Sequence, residues 1–203
     1  MAKNNGFIGY FFGSHYEYVR SLKPLFILCL LVFVFSMASG WYSGEDVAHI
    51  IMQDLAEMLP DIENRDITSI FGFILFNNLF VNLLWMILGL FAVFPSVYFS
   101  SFNGFILGAF AYTFAAETST TLVVVGLLPH GIIEIPTMIL SSSVGMGLGY
   151  TVINKLRGKG SLRKELNLAI KLYIKRIVPL VILAAIIEVT ITPLLIGIFS
   201  LTL

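Results

Sequence analysis

Between Ile177 and Phe199 the chain reads IVPLVILAAIIEVTITPLLIGIF, a run in which Glu188 is the one charged side chain. An α-helix rises about 1.5 Å per residue, so a run of this length crosses a hydrocarbon core of roughly 30 Å. The run therefore predicts a transmembrane helix, and with it a fold built in a bilayer.

The rest of the sequence repeats this pattern. Hydrophobic residues make up 58% of the 203 residues and charged residues 12%, too few charges for the surface of a soluble domain. Further apolar runs lie at Pro24–Trp41, Ser69–Phe94, Val97–Ala116 and Pro136–Ile153. Residues 118–128 are too few to cross and predict a re-entrant segment or half-helix. We predict an all-α polytopic bundle with about five crossings, formed by residues 1–203 as a single membrane domain.

Charged residues lie between the runs, and their sign alternates from loop to loop. Residues 43–68 carry seven acidic side chains and Arg65, whereas residues 155–176 carry eight Lys or Arg and Glu165. Lys and Arg accumulate on the cytoplasmic side of membrane proteins. We therefore expect a protein of the cell membrane with its N-terminus inside and its C-terminus outside. Six crossings, the alternative, would place the basic loop outside.

Two segments between the runs predict amphipathic helices on the membrane surface. After Ser43, apolar residues at 47, 51, 55 and 58 form one stripe, and the acidic face opposite is either solvated or binds a cation or basic partner. In the second segment, near residue 162, four cations share one face: Arg163, Lys164, Lys171 and Lys175. Such a face fits anionic lipid headgroups, although the same charges also set topology.

A histidine and a carboxylate interrupt the apolar region between Leu128 and Pro136. The segment reads LPHGIIEIP, with His130 and Glu134 enclosed by two prolines. We expect Pro129, Gly131 and Pro136 to leave the chain there partly unwound or in a tight helix entry. If the helix continues through the prolines, His130 and Glu134 lie one turn apart.

Other polar groups lie within the predicted spans. Glu188 is near the middle of the last one, and Asn78 and Asn82 lie one turn apart in the second. None of the runs contains Lys or Arg. Because a charge in hydrocarbon is costly, Glu134 and Glu188 are predicted to be protonated, to pair with His130, or to hold a mobile cation. The asparagines favour hydrogen bonds between helices.

Small residues follow the histidine and glutamate on the same helix face. Ser141, Gly145 and Gly149 are spaced at four residues, which lets another helix approach closely. We therefore predict that this face contacts protein rather than lipid. The partner helix could belong to the same chain or to a second copy in a homodimer.

These residues carry a resemblance to a known family. The pattern Pro129-His130-Gly131-x-x-Glu134-x-Pro136, the glycine-rich helix that follows it, and the segment Phe102-Asn103-Gly104 resemble the stage II sporulation protein M family. The resemblance implies a multi-pass membrane protein. The family's namesake is a component of the engulfment machinery of endospore-forming bacteria and works beside cell-wall hydrolases.

Three classes of function remain open. The first is a non-enzymatic scaffold in the bilayer that binds other envelope proteins or forms a homo-oligomer. The second is a small transporter or channel for protons, cations or a solute. The third is an intramembrane metal site, for which His130 and Glu134 alone supply too few ligands for zinc. We expect no organic cofactor, no nucleic-acid partner and no catalytic set, because no corresponding motif is present.

Overall fold

The computed structural model describes residues 13–43, 66–91 and 93–201. A 3-10 turn at Gly13–His15 leads to seven α-helices within those ranges: α1 (Tyr16–Ser21), α2 (Lys23–Tyr42), α3 (Ile67–Leu88), α4 (Phe94–Glu117), α5 (Thr120–Leu156), α6 (Leu162–Leu172) and α7 (Val178–Ser200), with a π-helical turn at Tyr173–Ile177 joining the last two. Five stretches, α2, α3, α4, α5 and α6–α7, are long and apolar enough to cross a membrane. The predicted all-α bundle with five crossings is confirmed. The predicted acidic surface helix of residues 47–58 lies outside the described residues.

Helix α5 is the central element of the bundle. It contacts α2, α3, α4 and α7, and it buries an almost unbroken segment from Thr137 to Gly149. Its 37 residues correspond to a length of about 55 Å, more than one bilayer core requires. The helix therefore extends beyond the fourth span predicted at residues 136–153.

The predicted break at Pro129, Gly131 and Pro136 is wrong, because all three lie inside α5. A proline removes one backbone hydrogen bond, whereas unwinding a segment in lipid would expose several unpaired amide and carbonyl groups. The hydroxyl of Thr137 adds one donor at this point, which lies 3.1 Å from the carbonyl oxygen of Ile133 and 2.7 Å from that of Glu134. Residues 120–128, predicted as part of a half-helix, are the first turns of the same helix.

Glycines allow the closest helix contacts. A Cβ atom added at Gly104 or Gly108 of α4 would collide with the backbone of α2 at Phe33 or Met37. The reciprocal contact is at Gly40 of α2, where an added Cβ would meet the backbone of α4. Helices α2 and α4 therefore pack backbone against backbone, as small-residue motifs permit in membranes.

The N-terminal helix packs at the same end of the bundle as α6. Tyr18 and Leu22 share one apolar cluster with Ala169 and Leu172. Burial, with a smaller effect of the nearby Glu165 carboxylate, raises the pKa of the Tyr18 phenol. Four spans separate these two segments along the chain, and an even number of crossings returns the chain to the side on which it began.

Candidate functional site

Helices α5 and α7 run antiparallel, and their register brings the intramembrane polar residues together. Gly126 faces Ile196, with 3.6 Å between an added Cβ and the Ile196 Cδ1 atom. One turn further along α5, His130 lies against Thr192. One more turn brings Glu134 to Glu188, so the contacts between the two helices recur every four residues along each of them.

His130, Glu134 and Glu188 form one cluster. Each offers a nitrogen or carboxylate oxygen, and these three atoms all lie within 4.8 Å of one another. All three side chains are half-buried. Among the described residues, the Oε2 atom of Glu188 is buried without a hydrogen-bond partner. The cluster therefore contains one carboxyl oxygen that is available to a proton or a cation.

The position of Glu188 along α7 places the cluster within the bilayer. Glu188 follows Val178 by ten residues, or about 15 Å along the helix axis. Since the hydrocarbon core is roughly 30 Å thick, the carboxyl group lies near the middle of its span. Through their contacts with α7, Glu134 and His130 lie at a comparable depth. The sequence had placed these two residues just before the fourth span.

The hydroxyl of Thr192 orients the histidine ring. Its Oγ1 atom is 3.4 Å from Nδ1 of His130. In the tautomer that carries its proton on Nδ1, the ring donates this hydrogen bond and leaves the Nε2 lone pair free to accept a proton or bind a cation.

A cavity of about 250 Å³ borders the cluster on the side of α2 and α4. His130, Gly131 and Glu134 form its wall on α5, and Phe33 and Asn103 contribute from the opposite helices. The remaining lining is apolar and consists of Ile106, Leu107, Phe110, Leu127, Ile135 and Met138. The cavity has room for several water molecules beside two ionisable groups.

The predicted asparagines do not join the cluster. Asn82 is buried, accepts a hydrogen bond from Ser141 at 2.7 Å, and donates to the carbonyl of Asn78 at 2.8 Å. The side chain of Asn78 accepts from Asn77 instead. Ser141 lies two turns beyond Glu134 on α5, so Asn82 serves as a link between α3 and α5.

The small-residue face of α5 packs inside the chain. Ser141, Gly145 and Gly149 are buried, and a Cβ at Gly145 would collide with the Trp85 carbonyl of α3 and lie 2.7 Å from the Ser96 hydroxyl of α4. This face is in contact with other helices of the chain. Its partners are α3 and α4 of the same chain.

The four cations predicted to meet lipid headgroups lie on or just after α6. Arg163, Lys164, Lys171 and Lys175 are all exposed, while Ala169 on the opposite face is buried. This arrangement keeps the charged groups together at one end of the bundle, away from the intramembrane cluster.

Two site residues were not predicted. Thr192 follows Glu188 by one turn, and that i, i+4 spacing beside Pro193 was a usable signal. Asn103 lines the cavity from α4, where it is the one asparagine of the helix. The sequence also contained Gly104 and Gly108 at the spacing of a close helix contact.

Comparison with known proteins gives one family. The family model described as stage II sporulation protein M matches residues 26–193. Uncharacterized protein MJ0706 of Methanocaldococcus jannaschii is 37% identical over 183 residues, which is 86% of this chain and 77% of that protein. Uncharacterized protein MJ0793 of the same organism is 31% identical over 180 residues, 85% of this chain and 96% of that protein. No solved structure matches the chain.

Proposed function

The chain belongs to the stage II sporulation protein M family, and from that membership and its intramembrane cluster we propose that it moves a cation across the membrane. The observation that carries the proposal is the convergence of His130, Glu134 and Glu188 from two helices. Ionisable groups that meet inside a membrane are typical of proton and ion pathways.

The charge of the cluster supports a mobile cation. Residues 120–154 of α5 and 178–200 of α7 contain no Lys or Arg, so the two carboxyl groups have no fixed cation on their own helices. A bare carboxylate at this depth is costly. Each carboxyl group is therefore neutralised by a proton, by pairing with a protonated His130, or by an ion that arrives and leaves.

Prolines near the cluster supply points of bending. Pro129 and Pro136 flank it on α5, and Pro193 follows it on α7. Each proline lacks the amide that would bond to the carbonyl four residues earlier, which lowers the cost of a kink. The cavity borders the cluster on one side. Bending at these prolines would therefore change the side of the membrane from which an ion reaches the cluster.

We place the protein in the cell membrane with α1 and α6 in the cytoplasm. The support is the packing of these helices at one end of the bundle, together with the basic residues that both segments carry. The anionic lipid headgroups of that leaflet are the partners proposed for the exposed cations of α6.

The scaffold hypothesis keeps family membership as its support, but it loses one argument. The face of Ser141, Gly145 and Gly149, which could have bound a second copy, is buried against α3 and α4. A homodimer or an envelope partner would have to use another surface, such as the lipid-facing aromatic rings of Phe76 and Phe80.

The test is flux in sealed liposomes. We would measure proton, Na⁺, K⁺ and divalent-cation movement for the wild type, Glu134→Gln and Glu188→Gln, with Glu117→Gln as control because that carboxylate is exposed at the end of α4. The proposal expects flux in the wild type and the control, and at least a tenfold loss in the cluster variants. If wild-type liposomes pass none of these ions, the proposal is refuted. The scaffold hypothesis would then be favoured and would be tested by crosslinking to partner proteins.

A further inference from the structure

We propose that the cluster of His130, Glu134 and Glu188 is a binding site for one divalent transition-metal ion of the Mn²⁺, Co²⁺ or Zn²⁺ class. The inference deepens the proposed cation transport by naming the class of ion. Its binding step is independent of transport and is tested separately.

The donor set selects the class of metal. Alkali and alkaline-earth ions prefer oxygen ligands, whereas an imidazole nitrogen suits first-row transition metals. His130 supplies one nitrogen, and Glu134 and Glu188 supply carboxylate oxygens. One histidine and two carboxylates leave coordination positions for water, as expected where an ion must enter and leave.

The geometry is close to that of a bound ion. Metal–ligand distances are about 2.0–2.2 Å, so two ligands of one ion lie at most about 4.4 Å apart. The three donor atoms are already within 4.8 Å of one another, so small side-chain rotations would bring them to ligand distances. The buried Oε2 of Glu188 has no hydrogen bond to break among the described residues.

Thr192 acts as a positioning residue for the nitrogen ligand. Its hydroxyl lies 3.4 Å from Nδ1 of His130, and that contact holds the ring with Nε2 available. Metal-binding histidines commonly hydrogen-bond through their second ring nitrogen, and loss of such a partner weakens metal affinity about 10- to 100-fold.

Charge complementarity favours a divalent ion. Two carboxyl groups converge here, and residues 120–154 of α5 and 178–200 of α7 contain no Lys or Arg. One divalent ion balances the charge of two carboxylates, and a bare carboxylate inside the bilayer is costly.

The experiment uses the full chain in detergent, purified without a histidine tag, and Co²⁺ as the probe. Co²⁺ bound to nitrogen and oxygen ligands has a visible absorption spectrum, which reports coordination directly. We would titrate Co²⁺ into the wild type, His130→Gln, Glu188→Gln and Thr192→Val, with Glu117→Gln as control.

The expected result is one Co²⁺ per chain and little competition from excess Mg²⁺ or Ca²⁺. His130→Gln and Glu188→Gln should weaken binding by at least about 100-fold, and Thr192→Val by about tenfold. Absence of Co²⁺ binding by the wild type would overturn the inference. So would binding that is unchanged in His130→Gln and Glu188→Gln, since the ion would then lie elsewhere.

Failure of this inference is distinguishable from failure of the proposed transport. Proton or monovalent-cation flux in liposomes without Co²⁺ binding would leave transport standing and remove the metal. Stoichiometric Co²⁺ binding without any flux would leave a metal site and remove transport.

Discussion

Replacement of Gly108 by alanine should separate α2 from α4. A Cβ atom at this position would collide with the carbonyl oxygen of Met37 and would lie 2.8 Å from the Met37 carbonyl carbon and 2.9 Å from the Trp41 nitrogen. Non-bonded carbon atoms prefer about 3.5–4.0 Å, so the helices must move apart by about 0.7 Å or more. The obstacles are backbone atoms of α2, which no rotamer change can move.

The free energy follows from two opposing effects. Overpacking costs typically about 1–3 kcal/mol, and an unyielding backbone obstacle places this site at the upper end. Alanine gains about 1 kcal/mol over glycine in helix propensity. We therefore expect Gly108→Ala to destabilise the protein by about 2 kcal/mol, which for a chain of this size lowers the melting temperature by about 4–8 °C.

The assay uses the one cysteine in the chain. Cys29 lies on α2 and is fully buried, so a dye that becomes fluorescent on reaction with thiols reports its exposure as the protein is heated in detergent. Gly72→Ala is the matched control, because an added Cβ there has no neighbour within 4 Å. The control should keep or raise the melting temperature.

Equal melting temperatures for Gly108→Ala and Gly72→Ala would refute the reasoning, because they would show that α2 and α4 are not in backbone contact. A rise in both would lead to the same conclusion. Since the cavity beside the cluster is walled in part by these two helices, the same variant should also alter cation flux if the proposed function holds.

Other outcomes follow from local contacts. A double-mutant cycle on Asn82→Ala and Ser141→Ala, read by melting temperature, should give a coupling of about 0.6 kcal/mol, and no coupling would contradict their hydrogen bond. The hydroxyl of Ser69 donates a hydrogen bond to the Asp66 carboxylate at the N-cap of α3 and lowers the pKa of Asp66. The stabilisation that this carboxylate gives to the folded protein is therefore present at neutral pH and lost as the pH falls through the lowered pKa. Asp66→Ala should therefore melt earlier at pH 7 but not in strong acid; a pH-independent difference would argue against this. In intact cells, an impermeant maleimide should label Thr118→Cys but label Ser161→Cys only after permeabilisation, and the reverse pattern would invert the proposed orientation.

The prolines of α5 show where local sequence rules fail. Pro129 and Pro136 predict a helix break in water, where an unwound segment can bond to solvent. The structure keeps both inside one helix, because lipid offers no substitute for the backbone bonds that unwinding would free. The conditional prediction that His130 and Glu134 lie one turn apart is confirmed through that continuity.

The use of small residues shows a second limit. The spacing of Ser141, Gly145 and Gly149 predicts a face in contact with protein, since small side chains permit close approach. That spacing contains no information about which helix approaches. The partners proved to be α3 and α4, at Trp85 and Ser96.

The sequence by itself determined that the fold is built for a bilayer and how many spans it has, because hydrophobicity along a run of about twenty residues is a local property of each span. The meeting of Glu188 with His130 and Glu134 was decided by tertiary structure alone. More than fifty residues separate these groups along the chain. Their distance depends on the register in which α5 and α7 pack, which is set by side chains along the whole contact and by no single segment.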